Sequence, residues 1–131
     1  MTDLLKFSVP GKPEYVGMIR LAISTLANNA GFDIEAVEDI KVAVSEACSN
    51  ATCHCGEALN YYDVFCELTD DKMVISVLDH TGDLDVPSCP LSGIKDRGLS
   101  TFIIKALMDE VDVLSELGIG TKIKMVKFLR L

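Results

Sequence analysis

Glu46 and Asn50 are a carboxylate and a carboxamide four positions apart, in the run Glu46-Ala47-Cys48-Ser49-Asn50-Ala51. On a helix such positions share one face. A carboxylate held there can accept a proton from a hydroxyl or water. An amide oxygen beside it is a hard ligand of the kind magnesium takes together with the phosphates of a nucleotide. The same spacing also fits a solvated glutamate and a surface asparagine, so the surrounding elements have to decide between the two.

The pair is embedded in an apolar pattern. Ile34, Val37, Ile40, Val44, Ala47, Cys48 and Ala51 recur at intervals of three and four, which predicts an amphipathic helix with Glu46 and Asn50 at the edge of its buried stripe. Asp33 is its expected cap and Cys53 its approximate end, with Glu35, Glu38 and Asp39 suited to the positive N-terminal turns. An earlier helix is expected from Pro13 to about Asn29, stopped by Asn28-Asn29-Ala30-Gly31. Before it, Leu5, Phe7 and Val9 alternate with Lys6 and Ser8 as in a strand.

Beyond the central helix, Tyr61 to Leu68 and Met73 to Leu78 read as an antiparallel hairpin. The polar stretch from Asp79 to Arg97 reads as a long mobile loop. Gly98 then opens a helix from Leu99 to about Met108, where Phe102, Ile103, Ala106 and Leu107 keep helical spacing. Two last strands flank Gly118-Ile119-Gly120. The expected fold is an α/β (α+β) two-layer sandwich, a mainly antiparallel mixed sheet covered on one face by three helices, forming a single domain over residues 1–131.

Composition narrows the function classes. A net charge of -8, from 12 basic and 20 acidic residues, opposes direct nucleic-acid binding. No apolar run is long enough to span a membrane and Met1-Thr2-Asp3-Leu4-Leu5-Lys6 lacks a signal-peptide layout, so a cytoplasmic protein with no membrane partner is expected. Five cysteines without C-x-x-C pairing fit neither a disulfide framework nor a standard zinc site. Cys53-His54-Cys55 would point three ways on a helix.

Four elements follow one order: Glu46-x-x-x-Asn50 on a helix, Asp79 after a strand, Gly98-Leu99 before a helix, and Gly118-Ile119-Gly120-Thr121 between the last strands. This order resembles the GHKL (Bergerat) ATP-binding fold of histidine kinases, gyrase and MutL. The wording from Asp39 to Ala51 resembles the anti-sigma factor serine-protein kinases of the RsbW and SpoIIAB type, and the similarity runs from the first strand to Phe128.

The resemblance implies an ATP-dependent serine/threonine kinase with ATP and Mg2+ as cofactors. Glu46 would be the catalytic carboxylate that polarises the attacking hydroxyl, and Asn50 the magnesium ligand. Asp79 would accept a hydrogen bond from the adenine amino group, with Thr121 beside the adenine pocket. Gly82, Gly98 and Leu99 fall in the glycine segments of the nucleotide site, and Lys95 and Arg97 could add charge near the phosphates. The implied partners are a sigma factor and an anti-anti-sigma protein whose serine is phosphorylated, and a homodimer is admitted.

The chain departs from the family's wording at three places. The usual Asp-x-Gly-x-Gly is Asp79-His80-Thr81-Gly82-Asp83, Gly-x-Gly is Gly98-Leu99-Ser100, and His-Gly is His54-Cys55-Gly56. A β-branched residue does not replace glycine where the backbone needs positive φ. The departures keep open a second reading, a non-catalytic or weakly active ATP-binding partner-switching module, which the intact Glu46 opposes.

Overall fold

In the computed structural model, which describes residues 2–55, 61–79, 93–116 and 120–129, the chain boundaries follow local chemistry. Strand β1 (Asp3–Pro10) ends at its proline, and a single 3-10 turn (Pro13–Tyr15) leads into α1 (Val16–Ala30). Gly31 closes α1 at φ 103, a left-handed conformation that glycine adopts without a Cβ penalty. Its N–H bonds the Asn28 carbonyl while Phe32 N–H reaches back to Ala27, so two carbonyls of the last turn are satisfied and Phe32 is folded into the core. Asp33 then caps α2 (Ile34–Cys55) by accepting the Ala36 N–H at 2.8 Å. The sequence reading holds for the end of α1 and the cap of α2, but the α-helix expected from Pro13 starts at Val16 after the 3-10 turn, and α2 runs two residues beyond Cys53.

The sheet comprises β1, β2 (Tyr61–Leu68), β3 (Lys72–Asp79), β4 (Glu110–Glu116) and β5 (Gly120–Phe128) in the order β1-β2-β3-β5-β4. Every pairing among these strands is antiparallel, so the described sheet is not mixed. Register carries the period-two pattern across the layer. Leu5, Cys66, Ile75 and Met125 lie in one row, and Phe7, Val64, Val77 and Ile123 in the next. These rows meet Ile19, Ile23 and Ala27 of α1 and Ile40, Ala43, Val44, Ala47, Cys48 and Ala51 of α2 in one core. α2 packs against both α1 and α3 (Gly93–Leu107) and over β3.

α3 differs from its sequence reading in two ways. It begins at Gly93, so Gly98 and Leu99 lie in its second turn. The expected loop from Asp79 to Arg97 is thereby shortened: Asp79 still belongs to β3, residues 93–97 are helical, and 80–92 fall outside the described residues. Moreover, the stripe turned into the protein is Ser100, Ile104 and Met108, whereas Phe102 is 70% exposed and Ala106 is exposed. Residues 99, 102, 103 and 106 and residues 100, 104 and 108 are both helically spaced, and spacing alone does not say which faces in.

Cys48 and Cys66 are free thiols in this core. Burial pushes Cys48 up from 9.0 to about 12, with the neighbouring Tyr62 pulling the other way, and burial alone pushes Cys66 up to about 12. Both thiols stay neutral in the native state where the unfolded chain would ionise. The unfolded state then binds fewer protons than the native one, so the stabilisation is complete below pH 9 and is lost as pH rises from there toward 12. The expected loss is about 1.4 kcal/mol per pH unit for each thiol within that window. Urea titrations at pH 8 and pH 10 would measure it, and replacing both cysteines by alanine should flatten the difference.

Candidate functional site

α2 lies over the central strands, running from the end of the sheet that holds Lys127 of β5 to the end that holds Tyr62 of β2. Its first turns are tied to the β5 end, where Lys127 Nζ donates to Asp39 Oδ2 at 3.4 Å and to the last-turn carbonyl of Leu107 in α3 at 2.6 Å. At the opposite end, Cys48 and the fully buried Tyr62 of β2 belong to the same core. Tyr62 is the cross-strand partner of Asp79, and Asp79 is in turn paired across β3 and β5 with Thr121. The turn of α2 between Glu46 and Asn50 therefore shares its core with the strand end where Tyr62 pairs with Asp79 and Asp79 with Thr121.

Asp79 is the last residue of β3 and only 3% exposed. It continues the inward row of Met73, Ile75 and Val77, so alternation alone turns its carboxylate toward the helical layer. Thr121, half-buried, occupies the equivalent row of β5 directly after Gly120, which is buried at φ 130. A turn in that conformation favours glycine and lets the chain enter β5 with Thr121 opposite Asp79. Both side chains take part in interactions with the protein. A buried carboxylate at a strand end beside a threonine is a directional acceptor of the kind that selects an amino group.

Glu46 and Asn50 are both half-buried on α2, flanked by the fully buried Ala47, Cys48 and Ala51. Glu46 is not simply solvated: Ser100 Oγ donates to its Oε2 at 3.1 Å from α3, and Ser100 is 8% exposed. That contact was not legible in the sequence, where Ser100 stood out only as the replacement of a glycine. Gly98 and Leu99 lie beside it. Their N–H groups fall inside the helical hydrogen-bond pattern in this conformation, so the free N–H groups of α3 belong to the turn opening at Gly93 rather than to Gly98. Leu99 is 57% exposed. Lys95 and Arg97 lie on the first two turns of α3, and Gly82 falls outside the described residues, as do His80, Thr81 and Asp83.

Among the described residues, no group of three or more His, Cys, Asp and Glu side chains is clustered as a metal cage. Glu46 and Asn50 instead supply isolated oxygens, a donor set that suits Mg2+ shared with phosphates rather than a cage made wholly of protein. The described cavity of about 220 Å³, lined by Asp33, Asp39, Asp109, Lys127 and neighbours, lies at the other end of α2 from this pair. No described helix is long and apolar enough to cross a membrane.

Residues 9–127 match the model of the histidine kinase-like ATPase domain. The serine-protein kinase RsbW of Halalkalibacterium halodurans is 33% identical over 98% of this chain and 85% of its own length. The same-named kinases of Bacillus licheniformis and Bacillus subtilis are 34% and 33% identical, each over 97% of this chain and 86% of their own. The crystal structure of the RsbU and RsbW domains of a Mycobacterium tuberculosis protein superposes with a TM-score of 0.74 at 19% identity, covering 98% of this chain and 33% of that one, a likeness of fold. The chain belongs to the histidine kinase-like ATPase family and, within it, to the RsbW serine-protein kinases.

If Asp79 reads the adenine, Asp79→Asn keeps the shape but exchanges a carboxylate acceptor for an amide. A hydrogen bond to a charged group is worth roughly 1.5–3 kcal/mol, so ATP affinity should fall about tenfold or more. Calorimetry with ATP and with GTP would measure this, and equal binding by wild type and variant would remove Asp79 from the site.

Proposed function

We propose that this chain is an ATP-dependent serine/threonine kinase acting as an anti-sigma factor, which phosphorylates a serine of a small anti-anti-sigma protein and sequesters a sigma factor. The observation that carries the reading is Glu46, a half-buried carboxylate held by a hydrogen bond on α2 rather than left in solvent. It lies on the helix whose next turn shares a core with Tyr62, the cross-strand partner of the buried Asp79.

Phosphoryl transfer asks the protein mainly for positioning and charge neutralisation. Asp79 and Thr121 would hold the adenine, Asn50 would hold Mg2+, and the first turns of α3 would lie near the phosphates with Lys95 and Arg97. Mg2+, when bound, supplies neutralisation of the charge that builds on the phosphate oxygens. Glu46 would orient the acceptor serine hydroxyl and take its proton. The net charge of -8 fits a partner-binding regulator better than one that grips DNA.

The test is incubation with labelled ATP, Mg2+ and a cognate anti-anti-sigma protein, with transfer to serine as the expected result. A wild type that binds ATP and transfers nothing would favour the second reading, an ATP-binding module that switches partners by occupancy. Ser100 at a family glycine position motivates that alternative. In the same incubation, a pull-down of a cognate sigma factor reads sequestration separately from catalysis.

A further inference from the structure

Ser100 is a buried hydroxyl on the inner stripe of α3, 54 positions from the carboxylate to which it donates. Its Oγ meets Glu46 Oε2 at 3.1 Å, and Oε1 is the carboxylate's second acceptor oxygen. A glutamate has three side-chain torsions, and a base reacts only from the rotamer that points at its hydroxyl. A catalytic base is commonly fixed by a third group for this reason. Where the family writes glycine there is no side chain to do so.

We infer that Ser100 is a positioning residue of this kinase: its hydroxyl clamps one oxygen of Glu46 so that the other faces the acceptor serine. The inference rests on the reading of Glu46 as the base. It also assigns a role to the substitution of the second glycine, which turns a departure from the family pattern into a support for catalysis.

Ser100→Ala removes the donor and leaves a better helix former, so the fold should survive. Single-turnover transfer is expected to fall about tenfold, the effect of freeing one long side chain, with ATP affinity unchanged. Ser100→Thr keeps the hydroxyl and should retain most of the rate. In a Glu46→Gln background, Ser100→Ala should change the residual rate less than about twofold, because residues acting as a unit are non-additive. A wild-type rate for Ser100→Ala, or a tenfold fall that persists in the Gln background, would overturn the inference. Should Glu46→Gln itself leave transfer intact, it is the base reading that fails. A thermal-unfolding cycle of Ser100→Ala with Glu46→Ala reads the contact without any acceptor protein: non-additive midpoints are expected, and additive ones would overturn it.

Discussion

Glu46→Gln is expected to lower phosphate transfer by about 10²–10⁴ while leaving ATP affinity close to wild type, the range associated with removing a general base. The substitution keeps the volume, and the Gln carbonyl oxygen still accepts from Ser100, whose hydroxyl meets Glu46 Oε2 at 3.1 Å. What it loses is proton affinity. Ala47 and Cys48 beside it are fully buried, so a change that disturbed α2 would propagate into the core. Thermal melting of the variant must therefore coincide with wild type before the kinetics are read. A folded Glu46→Gln protein that phosphorylates its partner at the wild-type rate would end the catalytic assignment. Glu46→Ala is a poorer probe, since it also abandons the Ser100 donor inside a mostly apolar region.

The fold was legible wherever one local signal pointed one way. Asp33 reads as a cap and caps α2, Gly31 reads as a stop and takes the left-handed conformation, and Leu5, Phe7 and Val9 alternate and face inward. α3 was misread because its signals conflict: Gly98 looks like a helix opener, yet the helix starts at Gly93, and two apolar stripes compete for the inner face. Helical spacing identifies a face but not its direction, which is set here chiefly by packing against α2. At the site, the Glu46 and Asn50 pair was visible because its spacing is local. Asp79 and Thr121 gained meaning only from resemblance, and the β3/β5 register explains why they belong together. Ser100 escaped because its partner is 54 positions away, a distance across which no periodicity operates.

Asn50→Ala should separate metal from nucleotide. If Asn50 holds Mg2+ against the phosphates, its loss removes a hard oxygen while leaving Asp79, Thr121 and the adenine end untouched. Groups one shell further from a metal are already worth 10–100-fold, so Mg2+-dependent ATP affinity should fall by about 10² and transfer by at least as much. ATP binding measured with EDTA, by contrast, should be the same in variant and wild type. Asn50 is only half-buried, and alanine raises helix propensity at that position, so the variant should melt no lower than wild type. The two α2 variants thus have opposite signatures: Glu46→Gln spares binding and loses turnover, whereas Asn50→Ala loses both when Mg2+ is present. An Asn50→Ala protein whose ATP affinity falls equally with and without Mg2+ would assign Asn50 to the nucleotide itself, and one with unaltered affinity and turnover would return it to the helix surface.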